Sequence, residues 1–373
     1  SIMHIAIIGC GQLSRMLSLA GMQMGFTFSF VSQDGEDQRS VKGLGNVVEW
    51  RKSTSVAKLF NDLGQPQVVT TEKEDIDSGI LQSLKVFCDV FPNPQSFFIC
   101  QHRHNEKKFL DALKIANVDY VYCPKSKEEV MHLDLPLIAK SCCGGYDGKN
   151  QQVINSYEEL HGFLESPTIN TNDGFILEKA VPFDRELSLI AVRSINGQMG
   201  FYPLTENCHK NGILQYSVAP ARNVTSVQQK IAEDYASAIM NRLDYVGVMG
   251  IECFEYDGGL MVNELAPRVH NSGHWTQLGS TCSQFENHLR AISGMSLGST
   301  VTKVDGVSGM INIIGRDKPA LNSLSDKSAL HWYNKKVRPG RKLGHINLIE
   351  TDHRSMISEV KQILSHSQIR EAC

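Results

Sequence analysis

The sequence predicts an α/β fold with a parallel sheet at the N-terminus, followed by an α+β region. The β-branched run His4–Ile8 precedes a glycine turn, a helix-like stretch and a second apolar run from Phe26 to Val31, which is the order of a βαβ unit. After residue 97, predicted strands follow one another across short turns, as antiparallel strands do. The chain has 373 residues, and since one domain usually takes roughly 100–200 we expect two or three.

The N-terminal region contains predicted strands and a turn suited to a phosphate. The strands are predicted over 4–8, 26–31, 67–71 and 85–89. Gly9-x-Gly11-x-x-Ser14 has the spacing of a dinucleotide-binding turn, and Asp34 lies near the position of a ribose carboxylate. Ser14 stands where that pattern has Gly or Ala, so a tight turn without a ligand is the alternative. Two prolines beginning at Pro92 interrupt the pattern, and we place a domain boundary there.

From residue 97 onward the sequence predicts helices mixed with mostly antiparallel strands. A helix over 103–116 carries Phe109, Leu110 and Leu113 on its apolar side. Ser156 begins an S-x-x-E capping box that opens a helix toward Leu164. The other predicted elements are a helix over 226–242 and strands over 137–140, 175–179, 187–193, 247–255, 260–265 and 310–314.

Composition and charge exclude several classes of protein. Thirty-seven Lys and Arg against 40 Asp and Glu give a formal net charge of −3, which provides no basic field for nonspecific nucleic-acid binding. No apolar run reaches the roughly 18 residues of a membrane span, and no secretory segment is evident. The 10 cysteines lack C-x-x-C pairs and metal-ligand spacing, so we expect reduced thiols. We therefore expect a cytoplasmic protein that binds neither nucleic acid nor a membrane.

The stretch GVMGIECFEYDGGLMVNELAP predicts a β-hairpin that carries two glutamates. A three-residue loop over 257–259 sets Glu252 opposite Glu264. A two-residue loop over 257–258 sets Glu252 opposite Asn263 and turns Glu264 to the other face. Opposed carboxylates repel unless a cation lies between them, so the first register predicts a magnesium–nucleotide site. The alternative is the solvated face of an exposed hairpin.

Two further segments have residue types suited to anions. Lys140 precedes a loop with three glycines, whose amides suit phosphate oxygens beside a positive charge, although glycine-rich hairpin turns without a ligand are common. The segment does not have P-loop spacing. Four cationic or potentially cationic side chains surround a proline-glycine turn: Arg338, Arg341, Lys342 and His345. Together with Lys335 and Lys336 they would form a cationic rim for a sugar phosphate. A solvated loop is the alternative there.

Five segments carry a pattern of specific residues: NELAPRVHNSGHWT (263–276), GGYDG (144–148), YPLTENCHKNGIL (202–214), GCGQLSRM (9–16) and RPGRKLGH (338–345). Together they resemble the N5-carboxyaminoimidazole ribonucleotide synthetase family, whose members are ATP-grasp enzymes. The resemblance runs in order from residue 4 to about 350. It implies three domains: an N-terminal α/β domain (1–96), an ATP-grasp domain (97–300) with a glycine-rich lid around 118–180, and a small C-terminal domain (301–373).

The resemblance also implies a reaction and its participants. The cofactors implied are ATP and Mg²⁺, and the substrates are 5-aminoimidazole ribonucleotide and bicarbonate. The family joins bicarbonate to the exocyclic amine through carboxyphosphate, releasing ADP and phosphate, in de novo purine biosynthesis. A homodimer is implied as well.

Roles for single residues follow from the same resemblance. Glu252 and Glu264 match magnesium ligands, and Arg103 and Lys140 match cationic contacts to ATP phosphates. The other implied nucleotide contacts are Gly144, Gly145, Tyr146, Asp147, Gly148, Glu178, Lys179, Ala180, Val181, Glu186, His209 and Asn263. The residues implied to face the ribonucleotide and bicarbonate are Tyr146, Asp147, Arg268, His270, Asn271, Ser272, Lys335, Arg338 and Arg341. The implied catalytic set is Lys140, Asp147, Arg268 and His270, of which Asp147 and His270 are candidates for orienting the amine or moving its proton.

The sequence departs from the family at a few positions and leaves two other readings open. Lys149 stands where Arg is usual, and Asn150 where Gly is frequent, so the lid is expected to grip differently. A nicotinamide-dependent oxidoreductase would rest only on Gly9, Gly11 and Asp34. A nucleotide-binding regulator without catalysis is the third reading, and the retained acids and Lys140 argue against it.

Overall fold

The N-terminal residues form a parallel sheet flanked by helices. The computed structural model describes residues 2–145, 147–319 and 323–365. The elements here are β1 (His4–Ile8), α1 (Gln12–Met22), β2 (Thr27–Ser32), β3 (Asn46–Glu49), α2 (Val56–Asp62), β4 (Val68–Thr71), α3 (Ser78–Leu84) and β5 (Asp89–Val90). These strands pair in parallel in the order β3-β2-β1-β4-β5. Ile5 and Ala6 pack into different apolar clusters on the two faces, which explains the unbroken apolar run of β1.

One predicted strand of this region is displaced, and one strand was not predicted. Of the predicted strand over 85–89, only Asp89 lies in a strand, β5. The preceding residues turn after α3, and Lys85 and Cys88 donate their amide protons back to Leu81 and Leu84. Those amides are therefore not available to a sheet, and a short apolar run alone does not distinguish these two outcomes. The unpredicted strand, β3, is a half-exposed edge strand with little apolar signal.

A second, antiparallel sheet lies between residues 120 and 179. Its elements, with the two helices that precede them, are α4 (Pro94–Cys100), α5 (Arg103–Ala112), β6 (Tyr120–Tyr122), β7 (Leu137–Ser141), β8 (Gln151–Ile154), α6 (Tyr157–Glu165) and β9 (Phe175–Lys179). The strands pair in the order β6-β9-β7-β8. Ser156 caps α6 as predicted, but Glu159 accepts the amide proton of Asn155 rather than that of Ser156. Helix α5 ends four residues before the predicted 116, because Lys114 adopts a left-handed φ of 56°.

The largest sheet in the described part of the chain includes both the central and the C-terminal strands. Its elements are β10 (Arg185–Arg193), β11 (Met199–Phe201), β12 (Thr205–Lys210), β13 (Ile213–Ala219), α7 (Ser226–Arg242), β14 (Gly247–Tyr256), β15 (Gly259–Ala266), α8 (Thr276–Gly279), α9 (Gln284–Ile292), β16 (Val307–Ile314), β17 (Ser328–Trp332), β18 (Lys342–Glu350) and α10 (His353–Ser365). The order is β15-β14-β10-β12-β13-β16-β18-β17, with β11 beside β10. The C-terminal strands thus continue the central sheet. The domain limits at 96 and 300 stay a prediction.

Two further observations bear on the sequence-based expectations. Among the described residues, no helix is long and apolar enough to cross a membrane. In the described part of the chain eight cysteines are free thiols, but Cys208 is disulfide-bonded, so the expectation of reduced thiols is wrong at that position.

Candidate active site

A β-bulge determines which carboxylates face each other in the hairpin of β14 and β15. The loop has two residues, since Tyr256 pairs with Gly259, and such a loop alone would set Glu252 opposite Asn263. The register shifts by one residue between Glu252 and Cys253, so that Glu252 pairs with Glu264. The structure therefore combines the shorter of the two predicted loops with the carboxylate pairing expected of the longer one.

The bulge also turns two neighbouring side chains toward one cavity. Asn263 and Glu264 both line it together with Glu252, whereas neighbours in a regular strand point to opposite faces. Burial and the adjacent charge of Glu264 raise the pKa of Glu252 to about 7. The Oδ1 atom of Asn263 is buried and has no hydrogen-bond partner among the described residues. Two apposed carboxylates and a free amide oxygen fit a hard divalent cation.

The protein alone does not complete a metal shell here. Within the ranges that the structure describes, no group of three or more His, Cys, Asp and Glu side chains is arranged to hold a metal ion. Magnesium commonly binds through one or two carboxylates and takes its other ligands from water and phosphate. The donor set of Glu252, Asn263 and Glu264 therefore fits magnesium bound together with a nucleotide.

The cavity has a volume of 760 Å³ and lies where the three sheets meet. The segment that directly follows β4 contributes Glu72 to Asp75. The sheet of β6 to β9, called the lid sheet below, contributes Lys140 and the glycine-rich turn after β7. The largest sheet, called the central sheet below, contributes Glu252 and Glu264, the acid pair. Lys335 and Arg341 from the segment before β18, and Lys342 at the start of β18, also line the cavity. One wall thus holds the acid pair, and cationic side chains lie on two sides of it.

Lys140 is held toward the cavity by a buried carboxylate. Glu178 forms ion pairs with both Lys140 and Lys107, the latter at 2.6 Å, and its side chain is 3% exposed. Burial alone would raise the pKa of Glu178, but the two ammonium groups lower it to about 2. The Glu178 carboxylate is therefore occupied by lysines and lies outside the cavity lining.

Two histidines flank Glu252 with opposite protonation preferences. His209 Nδ1 lies 2.8 Å from Glu186 and Nε2 lies 3.7 Å from Glu252. Burial favours neutral His209, but the hydrogen bond to Glu186 and the charge of Glu252 outweigh it and raise its pKa. Burial, with the charge of Arg268, instead holds the pKa of His270 well below its usual value.

The hydrogen bonds of His270 assign its neutral tautomer. Its Nδ1 accepts the amide proton of Ser272 at 3.1 Å and lies 2.7 Å from the Ser272 hydroxyl. The ring proton therefore sits on Nε2, which lies 3.8 Å from Glu252 Oε1. Neutral His270 thus presents a donor to the cavity, which suits orienting a substrate better than removing its proton.

The opposite side of the cavity is cationic. Lys335 donates to Gln12 Oε1 at 3.0 Å and to the Lys342 carbonyl at 2.7 Å. Burial and the nearby Arg341 lower the pKa of Lys335 to about 8. Lys342 Nζ lies 3.2 Å from Asp147 in the glycine-rich turn, which links this rim to the lid.

The N-terminal turn does not offer the phosphate site that its glycines suggested. The Gly11 and Ser14 amides, at the N-terminus of α1, donate to the Glu72 carboxylate at 2.6 and 2.8 Å. The amides that would hold a phosphate are thus occupied by a buried side chain. Asp34 is exposed and lies outside the cavity lining. The dinucleotide interpretation of this turn is therefore wrong.

Comparisons with known proteins cover nearly the whole chain. Residues 2–101 match the ribonucleotide synthetase preATP-grasp domain, 108–285 the ATP-grasp domain, and 308–359 the phosphoribosylaminoimidazole carboxylase C-terminal domain. The N5-carboxyaminoimidazole ribonucleotide synthase of Pseudomonas aeruginosa is 39% identical over 368 residues, which are 97% of this chain and 98% of that protein. The chain belongs to the N5-carboxyaminoimidazole ribonucleotide synthase family. It is accordingly an ATP-grasp ligase and uses ATP.

Solved structures of the family have the same fold. The N5-carboxyaminoimidazole ribonucleotide synthetase of Thermus thermophilus is 37% identical, with a TM-score of 0.86 over 97% of this chain and 98% of that chain. The Aspergillus clavatus synthase in complex with ADP and 5-aminoimidazole ribonucleotide is 26% identical, with a TM-score of 0.86 over 98% of each chain.

Most of the residues that the family resemblance implied meet in the cavity. Those lining it are Arg103, Lys140, Gly145, Asp147, Gly148, Glu186, His209, Glu252, Asn263, Glu264, Arg268, His270, Asn271, Lys335 and Arg341. Those outside the lining are Gly144, Glu178, Lys179, Ala180, Val181, Ser272 and Arg338. Tyr146 lies outside the described residues. Among the second group, Ser272 is fully buried beneath His270, and its hydroxyl also contacts Ser188. It therefore supports His270 from outside the cavity lining.

One departure of this chain from the family pattern, Asn150, has a structural explanation. Its φ is 53°, a left-handed conformation that Gly adopts freely and Asn tolerates. The side-chain amide of Asn150 donates to the Gly144 carbonyl at 3.2 Å and so closes the glycine-rich turn. The neighbouring Lys149 lines the cavity, so its charge is available there.

The sequence analysis missed several lining residues. They are Gln12, Glu72, Lys73, Glu74, Asp75, Asn207, His274 and Tyr333. A usable signal existed for Glu72 to Asp75, because ligand sites in parallel sheets lie beyond the carboxyl ends of the strands, and EKED directly follows β4. No comparable local signal marks Asn207 or Tyr333, which lie within or beside central-sheet strands.

Proposed function

We propose that this protein catalyses the ATP-dependent carboxylation of 5-aminoimidazole ribonucleotide by bicarbonate, forming N5-carboxyaminoimidazole ribonucleotide, ADP and phosphate in de novo purine biosynthesis. The observation that carries the proposal is the pairing of Glu252 with Glu264, with the buried Asn263 oxygen beside them, between the lid and the cationic rim. The Aspergillus clavatus relative was solved in complex with ADP and 5-aminoimidazole ribonucleotide, which supports a site that takes both a nucleotide and this ribonucleotide.

The nucleotide side of the cavity suits phosphoryl transfer. Magnesium held by Glu252 and Glu264 would neutralise charge on the ATP phosphates. Lys140 supplies a further positive charge, and its buried partner Glu178 keeps the ammonium oriented. Arg103 donates to the lid carbonyl of Gly145 at 2.6 Å, so the lid backbone lies next to the phosphate contacts. A bicarbonate oxygen attacks the γ-phosphorus as the bond to ADP breaks, which gives carboxyphosphate.

The cationic rim suits the sugar phosphate of the second substrate. Lys335, Arg341 and Lys342 converge there and are positioned to bind its phosphate. The Nε2–H of neutral His270 points to the region between the two sides, where it can orient the ribonucleotide. Carboxyphosphate breaks down to carbon dioxide and phosphate, and the amine nitrogen attacks the carbon dioxide and loses a proton. Because carboxyphosphate hydrolyses in water, the contact of lid Asp147 with Lys342 has a function in keeping solvent out.

Assembly as a homodimer and a cytoplasmic location are part of the same proposal. They are supported by the family resemblance and not by a contact in this single chain.

ADP release in a coupled assay tests the proposed function. Turnover is expected to require bicarbonate and aminoimidazole ribonucleotide together, and Glu264→Ala is expected to abolish it because the cation loses a ligand. Asp257→Asn is the matched control, since it removes an acid from the loop of the same hairpin, and Asn tolerates the φ of 50° there. The proposal would be contradicted by ATP hydrolysis at a rate that does not depend on aminoimidazole ribonucleotide, or by full activity in Glu264→Ala.

A further inference from the structure

The outer edge of β15 is held by the segment that contains helix α5. β15 is the last strand of the central sheet on this side in the described part of the chain. The Val262 amide donates to the carbonyl of Ala116 at 2.8 Å, just beyond α5. The Leu265 amide donates to the Glu106 carboxylate at 3.1 Å. Two outward amides of β15 thus bind to two acceptors on one short segment.

The spacing of these two amides is possible only in a bulged strand. In a regular strand, outward amides recur every second residue, so Val262 would be followed by Glu264 and then by Ala266. The extra residue at the bulge moves the next outward amide to Leu265. The segment from Glu106 to Ala116 therefore matches the register in which Glu264 faces Glu252.

We propose that Glu106 is a positioning residue for the acid pair: by accepting the Leu265 amide proton, it fixes the bulge that sets Glu264 opposite Glu252. The inference rests on the proposed function, because the acid pair is its point of action. Glu106 itself is 2% exposed and does not line the main cavity. The small adjoining cavity that it lines together with Glu264 has a volume of only 30 Å³, so Glu106 acts through the strand and not through contact with a substrate.

Two neighbours of Glu106 on the same face of α5 serve the same site. Arg103 contacts Glu264 at 3.9 Å and the lid carbonyl of Gly145, and Lys107 binds Glu178. Positions i, i+3 and i+4 of a helix share one face, so a single rigid helix reaches the lid and the edge of the central sheet. Of these three side chains, Glu106 is the one that binds the backbone of β15 next to the bulge.

Glu106→Met and Glu106→Gln separate the positioning role from a general structural one. Methionine fills the same space without an acceptor oxygen, whereas glutamine keeps an acceptor and removes the charge. We expect Glu106→Met to bind Mn²⁺–ADP about 10–100-fold more weakly by titration calorimetry, as is usual when a group that orients a metal ligand is lost. A crystal structure of this variant should show Glu252 opposite Asn263. Glu106→Gln should keep the affinity and the register of the unaltered protein.

Gln229→Leu is the control for losing any side-chain acceptor, because Gln229 accepts the Leu204 amide proton at 2.9 Å away from the site. It should leave Mn²⁺–ADP binding unchanged.

Native register and native affinity in Glu106→Met would overturn the inference and leave the proposed function standing. If Glu106→Met does not fold, amide exchange in the unaltered protein decides: Leu265 should be as protected as Val262, and fast exchange at Leu265 alone would overturn the inference. Failure of the unaltered protein to bind Mn²⁺–ADP would count against the proposed function and the inference together.

Discussion

Replacing Glu178 with glutamine removes the shared negative partner of two buried lysines while keeping the shape of the side chain. The side chains of Glu178, Lys107 and Lys140 are 3%, 3% and 11% exposed, so solvent screens the triad poorly. The pKa of Glu178 is about 2 in the folded protein, against an ordinary value of 4.5. At about 1.4 kcal/mol for each pKa unit, the charged carboxylate contributes roughly 3 kcal/mol to folding at neutral pH. Breaking buried ion pairs elsewhere costs a similar amount, about 3–5 kcal/mol.

The sign of the pH dependence follows from the depressed pKa. The stabilisation is fully present above pH 4.5, the ordinary pKa of the group, and is lost as the pH falls toward 2. The free-energy difference between the unaltered protein and Glu178→Gln should therefore shrink from roughly 3 kcal/mol at about pH 7 to roughly 2 kcal/mol at about pH 3.5. Activity should fall as well, because Lys140 loses its orienting partner.

Urea unfolding of both proteins across this pH range measures the difference. Glu165→Gln is the matched control: among the described residues its carboxylate pairs only with His161, at 3.2 Å, and both side chains are about 70% exposed. That control should change the free energy of unfolding by less than about 0.5 kcal/mol. A difference for Glu178→Gln below about 1 kcal/mol at neutral pH, or one that stays constant on acidification, would refute the argument.

Three further predictions concern the rim, the lid and the acid pair. Because Lys335 has a pKa of about 8, kcat/KM for the ribonucleotide should fall as the pH rises through 8, and Lys335→Arg should flatten that fall. Gly148→Ala should lower kcat and increase proteolysis of the lid, since its φ is 74° and a Cβ would lie 2.6 Å from the Asn211 carbonyl oxygen. In metal-free protein, the raised pKa of Glu252 contributes stability below pH 4.5 that is lost as the pH rises through about 7. Glu252→Gln should therefore melt higher than the unaltered protein at about pH 8, and a lower melting temperature would contradict this.

Local patterns in the sequence were sufficient for most strands and for the set of polar residues around the site. Alternating or continuous apolar runs indicate strands directly, and the confirmed strands include β1, β10 and both strands of the acidic hairpin. The predicted 85–89 strand begins only at Asp89, because the amides of Lys85 and Cys88 bond to the preceding helix, a competition that apolarity does not reveal. The N-terminal glycine turn failed because Glu72, 58 residues beyond Ser14, occupies its amides.

What the sequence determined by itself is the chemistry that is available: two glutamates on a hairpin, a lysine before a glycine-rich turn and a cationic segment near the C-terminus. What only the tertiary structure decided is which of these groups face one another. The loop of the hairpin alone would set Glu252 opposite Asn263, and the bulge shifts the register so that Glu264 lies there instead. The bulge is held by Glu106, which accepts the amide proton of Leu265 from 159 residues away along the chain. Period and spacing report local geometry, whereas a one-residue shift of register is set by long-range contacts at the strand edge.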